Sequence, residues 1–511
     1  MTVELTRLLC PPSVSRRSFV LGAGALASAS GWGAALARAA ADTRYDLIVI
    51  GAGTAGIPAA IFAAERGASV LMLDAAPDIG GTLHLSTGQM SAAGTRLQAS
   101  LGIKDSAEAH FDDVMRISKG TADPELVRLA VDNAARSFDW LMEHGFVPLP
   151  GHPVLGQGHE PYSQKRYYWG AQGGRSILAV LRQQLQPWVE RGRVKVLLST
   201  PVTALLTNDA GDIEAVRVKS GISETVFRGR SVLLCCGGYA SNPEMFERLS
   251  GVRDYGDNGY AYSQGAGIEL GMSVGGFVRG RENYLSNFGS ILVDDHYPSR
   301  VFARFVVIPQ QRQPWEIYVN ARGERFIRED ELSFDKRETT LLKQPDLRYW
   351  IVFDEEIFAA APPGVGGFSR EEMREAFAVH PWFVSANSLA ELAAKAGINA
   401  EGLQRSVADY NQGVARRSDR FGRTHLPRAI AKAPFYAIRH QGHSTTSTVG
   451  LAVNGALNVV RARGEPVRNL YAAGELLGAG QLMGQSFVGG MMVTPAITFG
   501  RLLGQRLLFV R

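Results

Sequence analysis

Cysteine is nearly absent, with three in 511 residues. Cys10 lies near the start, and Cys235 and Cys236 are adjacent inside an apolar run. The chain therefore has no disulfide framework, no cysteine-based zinc site and no CxxCH haem attachment, and no metal is expected. A strong excess of one charge is also missing. Lys and Arg total 54 against 49 for Asp and Glu, a formal charge of +5 without a basic block, which argues against nucleic acid as a partner. No uninterrupted apolar run after the leader is long enough to span a bilayer, so no transmembrane segment is expected. What is plentiful is glycine, at 57 residues, in a chain that is 45% hydrophobic and 20% charged. That composition excludes disorder and favours tight turns and close backbone approach to a ligand.

The first residues read as a targeting segment. Ser15-Arg16-Arg17-Ser18-Phe19 precedes a small-residue apolar stretch from Val20 to about Ala37, which ends in Ala37-Arg38-Ala39. A charged start, a short apolar core and an A-x-A site predict a twin-arginine signal peptide over 1–41, with the mature protein starting near Ala40. Such a protein is expected to be exported folded, with its cofactor loaded, to the periplasm or beyond.

The next segment carries the chemistry. Tyr45 to Ile50 is strand-like and leads into Gly51-Ala52-Gly53-Thr54-Ala55-Gly56, an alanine-rich helical stretch, and a second strand at 70–73 that ends at Asp74. Gly51 makes the turn, Gly53 lets the backbone approach a pyrophosphate, and Gly56 permits helix-to-strand packing. Helix amides then hold phosphates, and Asp74 accepts from a ribose. Further along, the pattern predicts a helical region near 106–145, a Gly/aromatic loop at 151–175 and a helix at about 176–190. Strands follow near 194–198, 213–219 and 232–236. A more charged stretch with helices near 370–378, 388–397 and 400–417 comes next, and a terminal helix starts from about Met491. The fold class is α/β: a Rossmann-like domain built from both chain ends (42–280 and 437–511), interrupted by an inserted α+β domain at 281–436.

Several of these motifs, taken in order, resemble the FAD flavoproteins of the fumarate reductase and 3-ketosteroid dehydrogenase superfamily. They are the fingerprint at 51–56, Gly80-Gly81-Thr82 with Ser86-Thr87-Gly88-Gln89-Met90, the strand ending Gly237-Gly238, and Tyr471-Ala472-Ala473-Gly474-Glu475. The resemblance implies FAD in the larger domain and a capping domain at 281–436. It assigns FAD contacts to Gly51, Gly53, Thr54, Ala55, Gly56, Asp74, Gly81, Thr82, Leu83, Gly88, Gln89, Val202 (to adenine), Gly237, Gly474 and Glu475. Gly490, Met492 and Val493 fall at the flavin pyrimidine ring, where a helix N-terminus favours the anionic reduced flavin. The histidine that binds flavin covalently in respiratory relatives aligns nearer Thr82 than His84, so non-covalent FAD is expected.

The substrate side departs from both branches. The proton-delivering arginine of fumarate reductases, and the base tyrosine of ketosteroid dehydrogenases, align near Phe334. A second arginine aligns near Phe487, and the carbonyl-binding tyrosine near Ser486. Thr494-Pro495-Ala496-Ile497-Thr498-Phe499-Gly500 and Pro434-Phe435-Tyr436-Ala437 are similar to the ketosteroid dehydrogenase branch. The expected activity is oxidoreduction of a CH–CH bond beside a carbonyl in a neutral cyclic ketone, by hydride transfer with flavin. Tyr168 or Tyr167 is the candidate proton-handling phenol and His443 the second choice. Ser486 and the Gly490 amide form a candidate carbonyl-oxygen site, with a plain helix cap as the alternative for Ser486. Arg325 and Glu329 are expected to form a structural pair. The competing readings are a periplasmic fumarate- or urocanate-like reductase of an unsaturated acid and a flavin-loaded electron carrier. Any of the three requires an electron donor or acceptor, which the sequence leaves unidentified.

Overall fold

The computed structural model describes residues 44–156, 159–220 and 223–507. The predicted leader lies outside them. Two compact units divide the described chain: 44–254 with 258–285 and 444–507, and 255–257 with 286–443.

The first unit is built on a parallel sheet. β1 (Arg44–Ile50) is followed by α1 (Gly56–Glu65) and β2 (Val70–Leu73), with Leu47 beside Val70 and Ile50 beside Leu73. β3 (Ser223–Leu234) lies on the other side of β1, and β4 (Pro466–Ala472), from near the chain's end, pairs parallel with β3. Val194–Leu197 extends the sheet beyond β2, and the hairpin of Val202–Thr207 and Ile213–Ser220 joins β3 antiparallel. β2 is apolar throughout and fully buried, as expected of a strand covered on both faces. α2 (Val493–Arg506) packs on α1 at glycines. A Cβ at Gly500 would lie 2.1 Å from the Ala55 carbonyl oxygen, and one at Gly504 would lie 2.5 Å from that of Ala59.

The helical region expected near 106–145 holds two helices, Ala107–Ile117 and Pro124–Glu143. Lys119 and Gly120 take positive φ of 57° and 72°, which ends the first. Asp123 then caps the second, with Pro124 in its first turn. The terminal helix starts at Val493 rather than at about Met491.

The second unit has a four-stranded antiparallel sheet in the order Ile317–Val319, Arg348–Asp354, Phe435–Gln441, Phe383–Ala386. Helices Arg370–Val379, Leu389–Ala396 and Ala400–Arg416 stand where the sequence pattern put them. Helix Phe334–Leu341, started by the Ser333 cap, was not foreseen.

Candidate functional site

The fingerprint glycines are forced by backbone contacts. A Cβ at Gly51, whose φ is 111°, would lie 2.5 Å from the Cys235 carbonyl oxygen, and one at Gly56 would lie 1.9 Å from that of Gly51. Gly53 differs. Its Cβ would meet nothing nearer than Gly81 Cα at 4.0 Å, and a Cβ at Gly81 would meet only Gly53 Cα, at 3.4 Å. The two glycines therefore bare their backbones across open space, a cradle that side chains would fill. α1 starts beside it with no side-chain cap and no acidic residue in its first turn; the Ile57 amide donates to the Gly53 carbonyl at 3.1 Å and Pro58 has no N–H, so it is the Gly56 amide that this helix offers an anion. This is the geometry a pyrophosphate needs.

The surrounding loops are tied to this turn. The Gly80 amide donates to the Ala52 carbonyl at 2.7 Å. Gly81, Thr82 and Leu83 form a short 3-10 turn with His84, whose Nε2 lies 3.0 Å from the Ile79 carbonyl oxygen. Gly88 packs on the backbone of Gly173 and Gly174, where a Cβ would lie 2.5 Å from the Gly174 amide nitrogen, and Gln89 follows it. The half-buried Asp74 carboxylate accepts from the Ala52 amide at 2.6 Å and the Ala76 amide at 2.8 Å, while burial pushes its pKa up. The Thr200 amide donates to the Asp74 carbonyl, which fixes Val202 close to the end of β2.

The glycines after β3 and β4 complete this side. Gly237 and Gly474 have φ of 79° and 80°, and the Ala473 amide joins the Leu234 carbonyl at 3.0 Å. The Glu475 carboxylate accepts from the Ser447 amide and hydroxyl at 3.1 and 3.3 Å, and burial raises its pKa against those bonds. Sequence reasoning missed Ser447, which also receives the Tyr239 amide at 2.7 Å.

The segment that leads into α2 is braced by strands too short to read from sequence. Met90–Ser91 pairs with Tyr167–Tyr168. A Cβ at Gly490 would lie 2.3 Å from the Ser91 amide nitrogen, and one at Gly489 would lie 2.8 Å from the Tyr167 ring. The Tyr162 hydroxyl donates to the Gly489 carbonyl, and the Ser91 amide donates to Thr494 Oγ1 at 2.9 Å. α2 then begins after Met492, with no side-chain cap and no acid in its first turn.

The two neighbouring tyrosines have different surroundings, because successive strand residues face opposite ways. Tyr168 is fully buried, its ring 4.1 Å from that of Phe138 and its hydroxyl shared with Thr95 Oγ1 at 3.0 Å and the Ala92 carbonyl at 3.3 Å. That corrects its reading as a proton-handling phenol: the group is committed within the core, where burial raises its pKa. Tyr167 lies on the Gly489 face, and burial likewise raises its phenol. Ser486 is no helix cap. Its hydroxyl is buried without a hydrogen-bond partner, seven residues before α2 opens at Val493. The Phe487 ring lies 4.4 Å from that of His159.

In the second unit His443 is fully buried. Its Nε2 is 3.0 Å from Ser290 Oγ, Asn287 Nδ2 lies 3.2 Å from the ring nitrogens, and the Gly256 backbone covers the ring. Arg325 pairs bidentately with Glu329 at 2.8 and 2.7 Å and also reaches Asp419 at 2.6 Å, which bears out the structural pair. Arg423 donates to the same Glu329 at 3.1 Å, and Arg312 pairs with Glu316. Arg337 is different. It is fully buried, its Cζ 4.7 Å from the Phe334 ring centre, and it donates only to the Val307 carbonyl, leaving Nε and Nη2 without partners.

A parallel sheet whose glycine turn opens on an uncapped helix, with a carboxylate at the end of the second strand, defines a dinucleotide-binding protein. The FAD binding domain family matches residues 46–488, and the chain belongs to that family. It is 28% identical over 480 residues to a fumarate reductase (cytochrome) of Shewanella frigidimarina, covering 92% of this chain and 78% of that one. It is also 28% identical over 454 residues to a vinyl phenol reductase of Lactiplantibacillus plantarum, covering 84% and 89%. Among solved structures, a 3-ketosteroid delta1-dehydrogenase from Sterolibacterium denitrificans superposes with a TM-score of 0.71 at 20% identity, over 91% of this chain and 99% of that one. The protein is thus an FAD-dependent oxidoreductase. No helix among the described residues is long and apolar enough to cross a membrane.

Proposed function

We propose that this enzyme interconverts a saturated and an α,β-unsaturated bond next to the carbonyl of a neutral, cyclic ketone. The observation that carries this reading is the pairing of the buried arginines. Arg312, Arg325 and Arg423 each bond a carboxylate of the chain itself, and positions 334 and 487 hold phenyl rings. A dicarboxylate needs two charge-assisted clamps, and these residues offer neither. A ketone oxygen needs only a hydrogen-bond donor, and the unpartnered Ser486 hydroxyl suits it.

FAD, when bound, supplies or accepts the hydride. On this reading the Gly53–Gly81 cradle and the Gly56 amide at the start of α1 hold its pyrophosphate, with Thr54, Ala55, Thr82 and Leu83 alongside. Asp74 and Glu475 take ribose and ribityl hydroxyls, and Val202 meets adenine. Gly88, Gln89, Gly490, Met492 and Val493 surround the flavin, with the Val493 amide and the positive end of the α2 dipole offered to its pyrimidine edge, since the Thr494 amide donates to the Gly490 carbonyl and Pro495 has none. The His84 ring bonds the Ile79 carbonyl, which agrees with non-covalent flavin. Tyr167 replaces Tyr168 as the candidate phenol, and residues 286–443 serve as the cap.

One observation favours a second reading. Arg337 keeps an unspent guanidinium, which suits a single carboxylate on an unsaturated acid. The two readings separate when dithionite-reduced holoenzyme is mixed with cyclohex-2-enone or with fumarate and flavin reoxidation is followed. Faster reoxidation by the enone supports the ketone; a clear preference for fumarate overturns it. We further propose export by the twin-arginine route to the periplasm, where an external donor or acceptor exchanges electrons with the flavin. Cytoplasmic retention on Arg16→Lys/Arg17→Lys replacement tests the route.

A further inference from the structure

Every two-electron change at a carbon–carbon double bond moves a proton along with the hydride, and the residues discussed so far supply that proton poorly: burial raises the pKa of the Tyr167 phenol and makes it a weaker acid, better suited to donating a hydrogen bond to the substrate oxygen than a proton to carbon. Phe334 and Phe487 have none to exchange. The Tyr168 hydroxyl is committed to Thr95 and Ala92, and the His443 ring is held by Ser290 and Asn287 beneath Gly256.

Helix Phe334–Leu341 holds an unexplained feature. In eight residues it buries Asp335, Arg337, Glu338 and Leu341, so three of its four buried side chains are ionisable. Burying such groups is costly unless they are paired. The other buried arginines of this unit follow that rule. Here it fails: Glu338 is 3% exposed with Oε2 unpartnered, and Arg337 is fully buried with Nε and Nη2 unpartnered. Among the described residues no ion pair joins the two, although pairing would satisfy both. Asp335 and Glu338 stand three apart, on one face of the helix.

We propose that Glu338 is the carboxylic acid that exchanges the proton with substrate; the inference rests on the carbon–carbon redox reading above. Burial, reinforced by the charge of Asp335 and only partly opposed by Arg337, holds the Glu338 carboxyl well above the usual carboxylate range. Burial without a partner on Oε2 favours the neutral acid over the carboxylate, and on this proposal its O–H is the one offered to substrate. In the reducing direction hydride arrives at one alkene carbon while the Glu338 O–H bond breaks and a C–H bond forms at the other. The carboxylate left behind regains its proton from water; the electron pair is one that bound FAD would supply, drawn from the reduced donor. Oxidation runs the same bonds in reverse.

Infrared spectroscopy of the holoenzyme at neutral pH tests the protonation directly. The carbonyl stretch of an un-ionised carboxylic acid, shifted in deuterium oxide, is expected in the wild type and lost in Glu338→Gln. Stopped-flow reoxidation of the dithionite-reduced holoenzyme, by whichever of cyclohex-2-enone and fumarate reacts faster, is expected to slow about 100-fold in Glu338→Gln. FAD content should not change, and Glu338→Asp should recover part of the rate. An unchanged infrared band, or a wild-type rate in Glu338→Gln, overturns the proposal. If neither probe reoxidises the wild type, the substrate reading fails, and the infrared band still decides the state of Glu338.

Discussion

The three fingerprint glycines are the same residue used for two purposes, and substitution separates them. Alanine at Gly51 or Gly56 drives a methyl into backbone at 2.5 or 1.9 Å, so those variants are expected to accumulate poorly. Gly53→Ala meets open space. It should fold and melt near the wild-type temperature yet retain at least tenfold less flavin per mole of protein, measured by flavin absorbance; wild-type loading in Gly53→Ala would refute the cradle. Tyr168→Phe gives the opposite contrast. Losing the Thr95 and Ala92 bonds should cost about 1 kcal/mol in denaturant unfolding and leave flavin content and flavin reoxidation within about twofold of wild type. These glycines were readable in advance because a turn and a close approach each admit only one residue type. Tyr168 was misread because neighbouring strand residues face opposite ways, and a two-residue strand leaves no periodicity to reveal which is which.

Elements with local signals emerged from the sequence, and those defined by distant partners did not. β1, α1 and β2 carry alternation of strand, glycine and helix within thirty residues of chain, about the length of a βαβ unit. The helical region near 106–145 was legible as a whole, and Gly120 with Asp123-Pro124 is the local signal that divides it into Ala107–Ile117 and Pro124–Glu143. Helix Phe334–Leu341 gives no apolar stripe, because its buried face is largely charged. The Arg325–Glu329–Asp419–Arg423 network was half foreseen: Arg325 and Glu329 are four apart on the chain, whereas Asp419 arrives from beyond helix Ala400–Arg416. Burial alone would raise the Asp419 carboxyl, but the hydrogen bonds and charge of Arg325 outweigh it and hold the pKa below the ordinary value. A depressed carboxylate stabilises the fold above its unfolded pKa and loses that contribution as pH falls through its folded pKa. Asp419→Asn should therefore cost about 2 kcal/mol at pH 7. Its thermal melting should converge with wild type as pH falls below the ordinary Asp value of about 3.9 and through the depressed folded pKa. A gap that persists in acid would show that the loss is not electrostatic.

For the molecule as a whole, the chain crosses between its units at 254–258, 285–286 and 443–444. The segment 286–443 holds its entire four-stranded sheet and its arginine–carboxylate network, while 255–257 adds backbone bonds at Ser299. Expressed alone, 286–443 should give a cooperative thermal transition by circular dichroism; a featureless melt would mean that it depends on the rest of the chain. The nucleotide-binding unit has no such independence, since β4, Glu475 and α2 all follow His443. A ribosome that has finished the insertion has therefore released β1, α1 and β2 without the strand and helix that complete their sheet. Coenzyme capture must wait for the last stretch of translation, so a nascent chain interrupted anywhere before that point emerges colourless.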